Sequence, residues 1–179
     1  MEVVLGEMNS AEQAQALQRG QIDLGFVHWG RLPAEIVSEP LISDPFLCCL
    51  PAGHRLAGQA RLDLAELRDE DFILFPRHVS PHYHDLIIAR CVDAGFSPRI
   101  AQEASEAMTI IGLVSAGLGV SILPASFRRT RVDGVVYRTL SDPEATTAVW
   151  LVRRQNEGSP LALSFIDLVT REAASLRRR

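Results

Sequence analysis

Cysteine, long apolar runs and concentrated positive charge are all scarce in this chain, and each shortage removes a class of function. There are 3 cysteines, Cys48, Cys49 and Cys91, an odd number without CxxC spacing. That argues against a disulfide framework or a structural zinc site and suits a reducing cytoplasm. Cys48 and Cys49 lie in the apolar run 46–50, the usual setting of a buried thiol. No run approaches the roughly 18 apolar residues of a membrane span. Residues 1–7 lack the basic start and long apolar stretch of a secretory leader, so a cytoplasmic protein with no membrane partner is expected. Basic residues number 18 against 22 acidic, for a net charge of −4. A nucleic-acid-binding domain shows the reverse, a concentrated positive field. The basic clusters (Arg128, Arg129 and Arg131; Arg153 and Arg154; residues 177–179) are scattered, and direct contact with DNA by this chain is not expected.

What remains is an ordinary folded composition, 47% hydrophobic and 22% charged over 179 residues. That is enough for one domain or two small lobes with a real core. Residues 3–5 read as a short strand. Asn9 and Glu12 have capping-box spacing, Ala11, Ala14 and Leu17 mark one helix face, and Gly20 supplies the stop. Residues 22–27 read as the next strand, which makes a βαβ unit and a parallel sheet. Residues 36–50 are apolar and broken by Pro40 and Pro45, so two extended pieces with a bend are expected. Asp63 and Glu66 form a second capping box, residues 71–75 a buried strand, and residues 81–94 a helix stopped by Gly95. An extended segment at 98–103, a helix over 105–116, and strands at 120–123, 135–140 and 146–152 follow. The last helix has Ser159 as N-cap and Pro160 at its first position, with Ala162, Phe165, Ile166, Val169, Ala173 and Leu176 on one face.

Alternating helices and strands point to α/β lobes whose ligand crevices lie at the carboxyl ends of strands. The extended segments 36–50 and 135–152 bracket a block of roughly 100 residues, as if the chain left one lobe, built a second and returned. Two connections between two lobes make a hinge.

No catalytic signature is present. There is no GxSxG elbow, and Gly112-Leu113-Val114-Ser115-Ala116-Gly117-Leu118-Gly119 lacks both the Lys-Ser/Thr of a P-loop and the spacing of a dinucleotide fingerprint. Its glycines fit a helix end followed by a tight entry into a strand. His78, His82 and His84 fall within seven residues, but only Asp85 accompanies them, a thin ligand set for a metal. His28, beside Trp29 at a strand end, is either a surface histidine or a cleft donor. Asn9 and Ser10 place an amide, a hydroxyl and free N–H groups at a helix start directly after a strand, which favours a carboxylate or phosphate. The same pattern is equally met if Asn9 or Ser10 only caps its own helix.

The stretches Glu7-Met8-Asn9-Ser10-Ala11-Glu12-Gln13 and Ala16-Leu17-Gln18-Arg19-Gly20-Gln21-Ile22-Asp23-Leu24-Gly25-Phe26 resemble the first lobe of the effector-binding domain of LysR-type transcriptional regulators. So do Leu50-Pro51-Ala52-Gly53-His54-Arg55-Leu56 and the segment from Gly112 to Ala125, and the resemblance runs in order over essentially the whole chain. Among these regulators it is most similar to those governing degradation of benzoate, catechol and chlorinated aromatics, through the Ser-containing helix start and the Phe75-Pro76 loop running to Tyr83.

The resemblance implies two Rossmann-like lobes joined by two crossing strands, like type 2 periplasmic binding proteins, with a small carboxylate inducer in the cleft. Lobe I would be 1–43 and 147–179, truncated at its N-terminus, and lobe II 44–146. The family's winged helix-turn-helix, its linker helix, and the first strand and helix of lobe I have no counterpart here. DNA would be reached only through that helix-turn-helix, and the partner would be a second copy in a dimer or higher oligomer. No cofactor and no catalysis are implied. Ser10, with Asn9 and nearby amides, matches the holder of the inducer carboxylate. Phe26, Val27 and His28 match the cleft floor, and Pro81, His82 and Tyr83 match the facing loop of lobe II, His82 as a donor and Tyr83 as an aromatic wall. Two other readings share the fold: a transport-type solute-binding protein, and a metal-dependent enzyme using His78, His82 and His84.

Overall fold

The computed structural model describes residues 3–28 and 32–176. In chain order its elements are α1 (Ser10–Gln18), β1 (Leu24–Val27), β2 (Ile36–Pro51), β3 (Arg61–Leu62), β4 (Asp71–Leu74), α2 (Pro81–Asp93), β5 (Arg99–Glu103), α3 (Ala107–Ser115), β6 (Ser121–Pro124), β7 (Val135–Leu140), β8 (Thr146–Arg154) and α4 (Pro160–Leu176). The chain divides into two compact units, Met1–Ser43 with Ala148–Arg179, and Asp44–Thr147. β2 and β8 each start in one unit and finish in the other.

In the first unit, β1 lies antiparallel to β8, with Phe26 opposite Leu151 and Gly25 opposite Val152. Successive residues of a strand face opposite ways, so Leu151 and Val152 serve two cores. Leu17 of α1 packs with Val27, Ile36 and Val152 on one face. Ile166 and Ala173 of α4 pack with Leu41 and Leu151 on the other. The apolar stripe of α4 thus buries where its periodicity puts it. The helix starts where expected as well, with Pro160 first and the Ser159 hydroxyl accepting the Ala162 N–H at 3.4 Å.

Two expectations fail in this unit. Residues 3–5 form no strand: Val4 is 86% and Leu5 87% exposed, and the parallel βαβ unit is absent. A strand is held by ladder bonds and cross-strand burial, and these residues have neither. The outward N–H and C=O of Phe26 on β1 are taken by the Gln13 side chain instead. The second concerns 36–50, where the two extended pieces expected are one strand, β2, assigned without interruption over 16 residues. Pro40 and Pro45 are exposed, and a proline's φ suits an extended chain; its missing N–H disrupts only where a ladder needs it.

In the second unit the end of β2 is central. It pairs antiparallel with β6, Cys48 opposite Ile122, and with β7, Cys48 opposite Arg138. β3 joins β7 in parallel, and β4 pairs in parallel with β5. Both faces of β2 are covered here, which explains the uninterrupted apolar run 46–50. Phe46, Cys48 and Leu50 pack with Phe72, Ile87 and Cys91 toward α2, and Cys49 packs with Ile73, Ile110 and Val114 toward α3. All three thiols are buried, and burial pushes Cys49 and Cys91 up to about 12, so neither is a thiolate near neutrality. The Asp63 capping box opens a single 3-10 turn, Leu64–Leu67. Among the described residues, no helix is long and apolar enough to cross a membrane.

Candidate functional site

At the start of α1, Asn9 Oδ1 accepts the N–H groups of Ala11 and Glu12, each at 3.0 Å, and Glu12 Oε2 accepts the Asn9 N–H at 2.8 Å. The Asn9 side chain therefore serves its own helix. Ser10, half-buried, is the first helical residue and takes no part in that box. β1 ends in Phe26, 41% exposed, then buried Val27, and an exposed His28 follows.

Gln13 brings the two segments together. Its Nε2 donates to the carbonyls of Met8 at 2.9 Å and Phe26 at 3.0 Å, and its Oε1 accepts the Phe26 N–H at 2.9 Å. Gly25 makes room for it, since a Cβ there would sit 2.6 Å from Oε1. Sequence reading passed over Gln13. The available signal was a polar residue four before Leu17, on the buried face of an amphipathic helix.

In the second unit, α2 starts with Pro81, and Ser80 makes no side-chain cap. Pro81 and His82 are exposed. Tyr83, expected as an aromatic wall, lies largely buried. It is only 8% exposed, and its ring meets Phe46 and Phe75 edge-on at 5.5 and 5.2 Å. The helical period decides this, because Tyr83 lies four residues before Ile87 and eight before Cys91, the buried positions of α2. Arg77 holds Asp85 with two parallel bonds of 2.7 and 2.8 Å, and those bonds hold the Asp85 carboxyl below its usual range. Asp85, the carboxylate that accompanies His78, His82 and His84 in sequence, is thus engaged by a guanidinium. Among the described residues, no group of three or more His, Cys, Asp or Glu side chains is placed to hold a metal ion.

A cavity of about 170 Å³ in the second unit is lined by Pro51, His54, Glu70, Asp71, Arg99 and Gly119, among others, and by none of the expected site residues. His54 Nδ1 accepts the Leu56 N–H at 3.2 Å, so the ring proton sits on Nε2, 3.3 Å from Glu70 Oε1. Arg55 donates to the same oxygen at 2.9 Å and to the Glu66 carbonyl at 2.7 Å. Partial burial of Glu70 raises its pKa, but the hydrogen bonds from His54 and Arg55, with the positive charge of Arg55, outweigh it and hold the carboxyl below its ordinary 4.5. A depressed carboxylate stabilises the fold above its unfolded pKa, and that contribution is lost as pH falls through the folded value. The urea midpoint of Glu70→Gln should therefore fall less than that of the wild type from pH 7 to below 4.5. Parallel curves would show that Glu70 carries none of the acid sensitivity.

Residues 1–174 match the sequence profile of the LysR substrate binding domain. The transcriptional regulator YnfL of Escherichia coli, itself uncharacterised, is 39% identical over 89% of this chain and 54% of its own length. The regulator CatR of Pseudomonas putida is 35% identical over 97% of this chain and 60% of its own length. The chain thus spans little more than half of these curated relatives, which are transcriptional regulators rather than enzymes. Among solved structures, the BenM effector binding domain with its effector benzoate superposes with a TM-score of 0.82 at 25% identity, covering 96% of this chain and 78% of that one. The sequence profile, the relatives and the mixed α/β fold agree: the chain belongs to the LysR substrate-binding family and corresponds to the effector-binding domain of LysR-type transcriptional regulators.

Proposed function

We propose that this chain is the sensing part of a transcriptional regulator, binding a small aromatic or dicarboxylic acid as inducer. The observation that carries the reading is its likeness, over nearly its whole length, to a BenM domain that has benzoate as its effector. In the first unit the inducer carboxylate meets Ser10 at the start of α1, with Asn9 shaping that start and Phe26, Val27 and His28 providing the adjoining strand end. Pro81 and His82 contribute from the start of α2. DNA contact belongs to the helix-turn-helix portion for which the relatives are named, and the regulator works in the cytoplasm as a dimer or higher oligomer. An inducer acts there by binding one of two conformations more tightly and so shifting their populations.

Ser10→Ala tests this directly. Its hydroxyl lies outside the capping box, so removing it leaves α1 intact and costs about 1–3 kcal/mol of inducer affinity, the scale of a charge-assisted hydrogen bond. Calorimetric titration with benzoate would show the loss, and equal affinity in variant and wild type would take Ser10 out of the site.

A further inference from the structure

We infer that Arg154 is a positioning residue, whose guanidinium fastens the turn between α1 and β1 to the end of β8 and so sets how the start of α1 stands to the end of β1. The last carbonyls of a helix have no partner within it. In α1, those of Ala16 and Leu17 accept the N–H groups of Gln21 and Gly20, at 2.8 and 3.0 Å, which closes the helix into a tight turn. Arg154 grips that turn from both sides. Its Nη1 donates to the Leu17 carbonyl at 3.2 Å, on the helix, and to the Ile22 carbonyl at 2.7 Å, on the approach to β1. Its Nη2 donates to Asp23 Oδ1 at 3.4 Å and to Glu157 Oε2, so both N–H groups of each terminal nitrogen are used. The fork is itself held, because the Glu157 side chain is only 5% exposed and its other oxygen accepts the Ser159 N–H at 3.1 Å, just before α4.

The consequence deepens the effector reading and rests on it. From Leu17 or Gln18 back to Ser10, α1 reaches about 12 Å at about 1.5 Å per residue. From Ile22 forward through β1 to Phe26, the chain reaches at most about 13 Å at about 3.3 Å per residue. Two arms of like reach thus leave one turn, and their angle there sets the gap between Ser10 and the strand end. Without the fork the arms are free to splay, and a ligand held by both is loosened.

Arg154→Met alone would leave Glu157 buried without its cation, so it is combined with Glu157→Gln, which keeps an acceptor for the Ser159 N–H. Arg154→Lys is the second variant, keeping the charge and Glu157 but not the fork. Hydrogen exchange followed by NMR should show the Gly20 and Gln21 amides exchanging about tenfold faster in the double variant than in wild type. Titration of the folded proteins with benzoate should show about tenfold weaker binding by the double variant. Arg154→Lys is expected between the two in both readouts. Exchange at Gly20 and Gln21 as slow as in wild type would overturn the inference, since the turn would not need the guanidinium. Wild-type affinity in the double variant would remove the positioning role and leave the effector reading intact. Full rescue of affinity by lysine would also overturn it, because charge alone would then account for the loss. Failure of the wild type itself to bind benzoate or other carboxylates, with the turn still governed by Arg154, would instead sink the effector reading and confine Arg154 to holding the turn.

Discussion

Gly119→Ala is expected to cost the second unit about 3 kcal/mol or more and to lower Tm by roughly 6–12 °C. Gly119 has φ +155°, and a Cβ there would run into the backbone carbonyl of Asp71. That carbonyl accepts the Val120 N–H at 2.8 Å, while the Val120 carbonyl accepts the Ile73 N–H at 2.9 Å. These two bonds join β4 to the entrance of β6, where Phe72 faces Val120 in a parallel bridge. A methyl group cannot be accommodated by rotating a side chain, because the obstacle is backbone, so the bridge itself must open. Gly112→Ala is the matched control. Gly112 lies in α3 with open space beside it, and the same added methyl should stabilise by about 0.5–1 kcal/mol through helix preference. Thermal unfolding of the pair separates a local clash from a general effect of losing glycine. A Gly119→Ala variant as stable as wild type would mean that β4 and β6 are not joined at that point.

The second large effect is at Tyr83, where two substitutions should part sharply. Tyr83→Ala removes a buried ring held between Phe46 and Phe75 and is expected to cost about 3–5 kcal/mol. Tyr83→Phe should cost nothing, or stabilise by up to about 1 kcal/mol, since the hydroxyl is buried without a hydrogen-bond partner and burial raises its pKa. The same variant bears on the site: a ring committed to the core leaves inducer affinity unchanged when its hydroxyl goes. Urea denaturation and a benzoate titration of Tyr83→Phe check both statements. A loss above 1 kcal/mol would show that the hydroxyl is satisfied, and a loss of affinity alone would restore Tyr83 to the ligand.

Elements with punctuation at their ends were legible in the sequence. Ser159, Pro160 and a 3.6-residue apolar stripe located α4, and two capping boxes located α1 and the 3-10 turn after Asp63, because these signals act through bonds a few residues apart. The continuity of β2 was not legible: a proline interrupts a strand only if its missing N–H faces a partner, and partners are set by tertiary pairing. Residues 3–5 failed for a related reason, since apolar character makes a strand only against a paired neighbour, and among the described residues they pair with none. At the proposed site, Ser10 was singled out by the dipole and hydroxyl pattern of a helix start and by the family resemblance, and it stands first in α1. Gln13 was not, because its side-chain bonds reach Phe26, thirteen residues away in sequence. The wall role of Tyr83 came from the family resemblance, whereas its spacing from Ile87 and Cys91 marks the buried face of α2, where its ring lies.

The most direct test of the sensing role is a benzoate titration of the isotopically labelled chain followed by amide NMR shifts. Saturable shifts at Ser10, Phe26 and His28, with Tyr83 and the α3 core unmoved, are the expected result. No saturable shift at those residues, with benzoate and with a panel of aromatic and dicarboxylic acids, would contradict it.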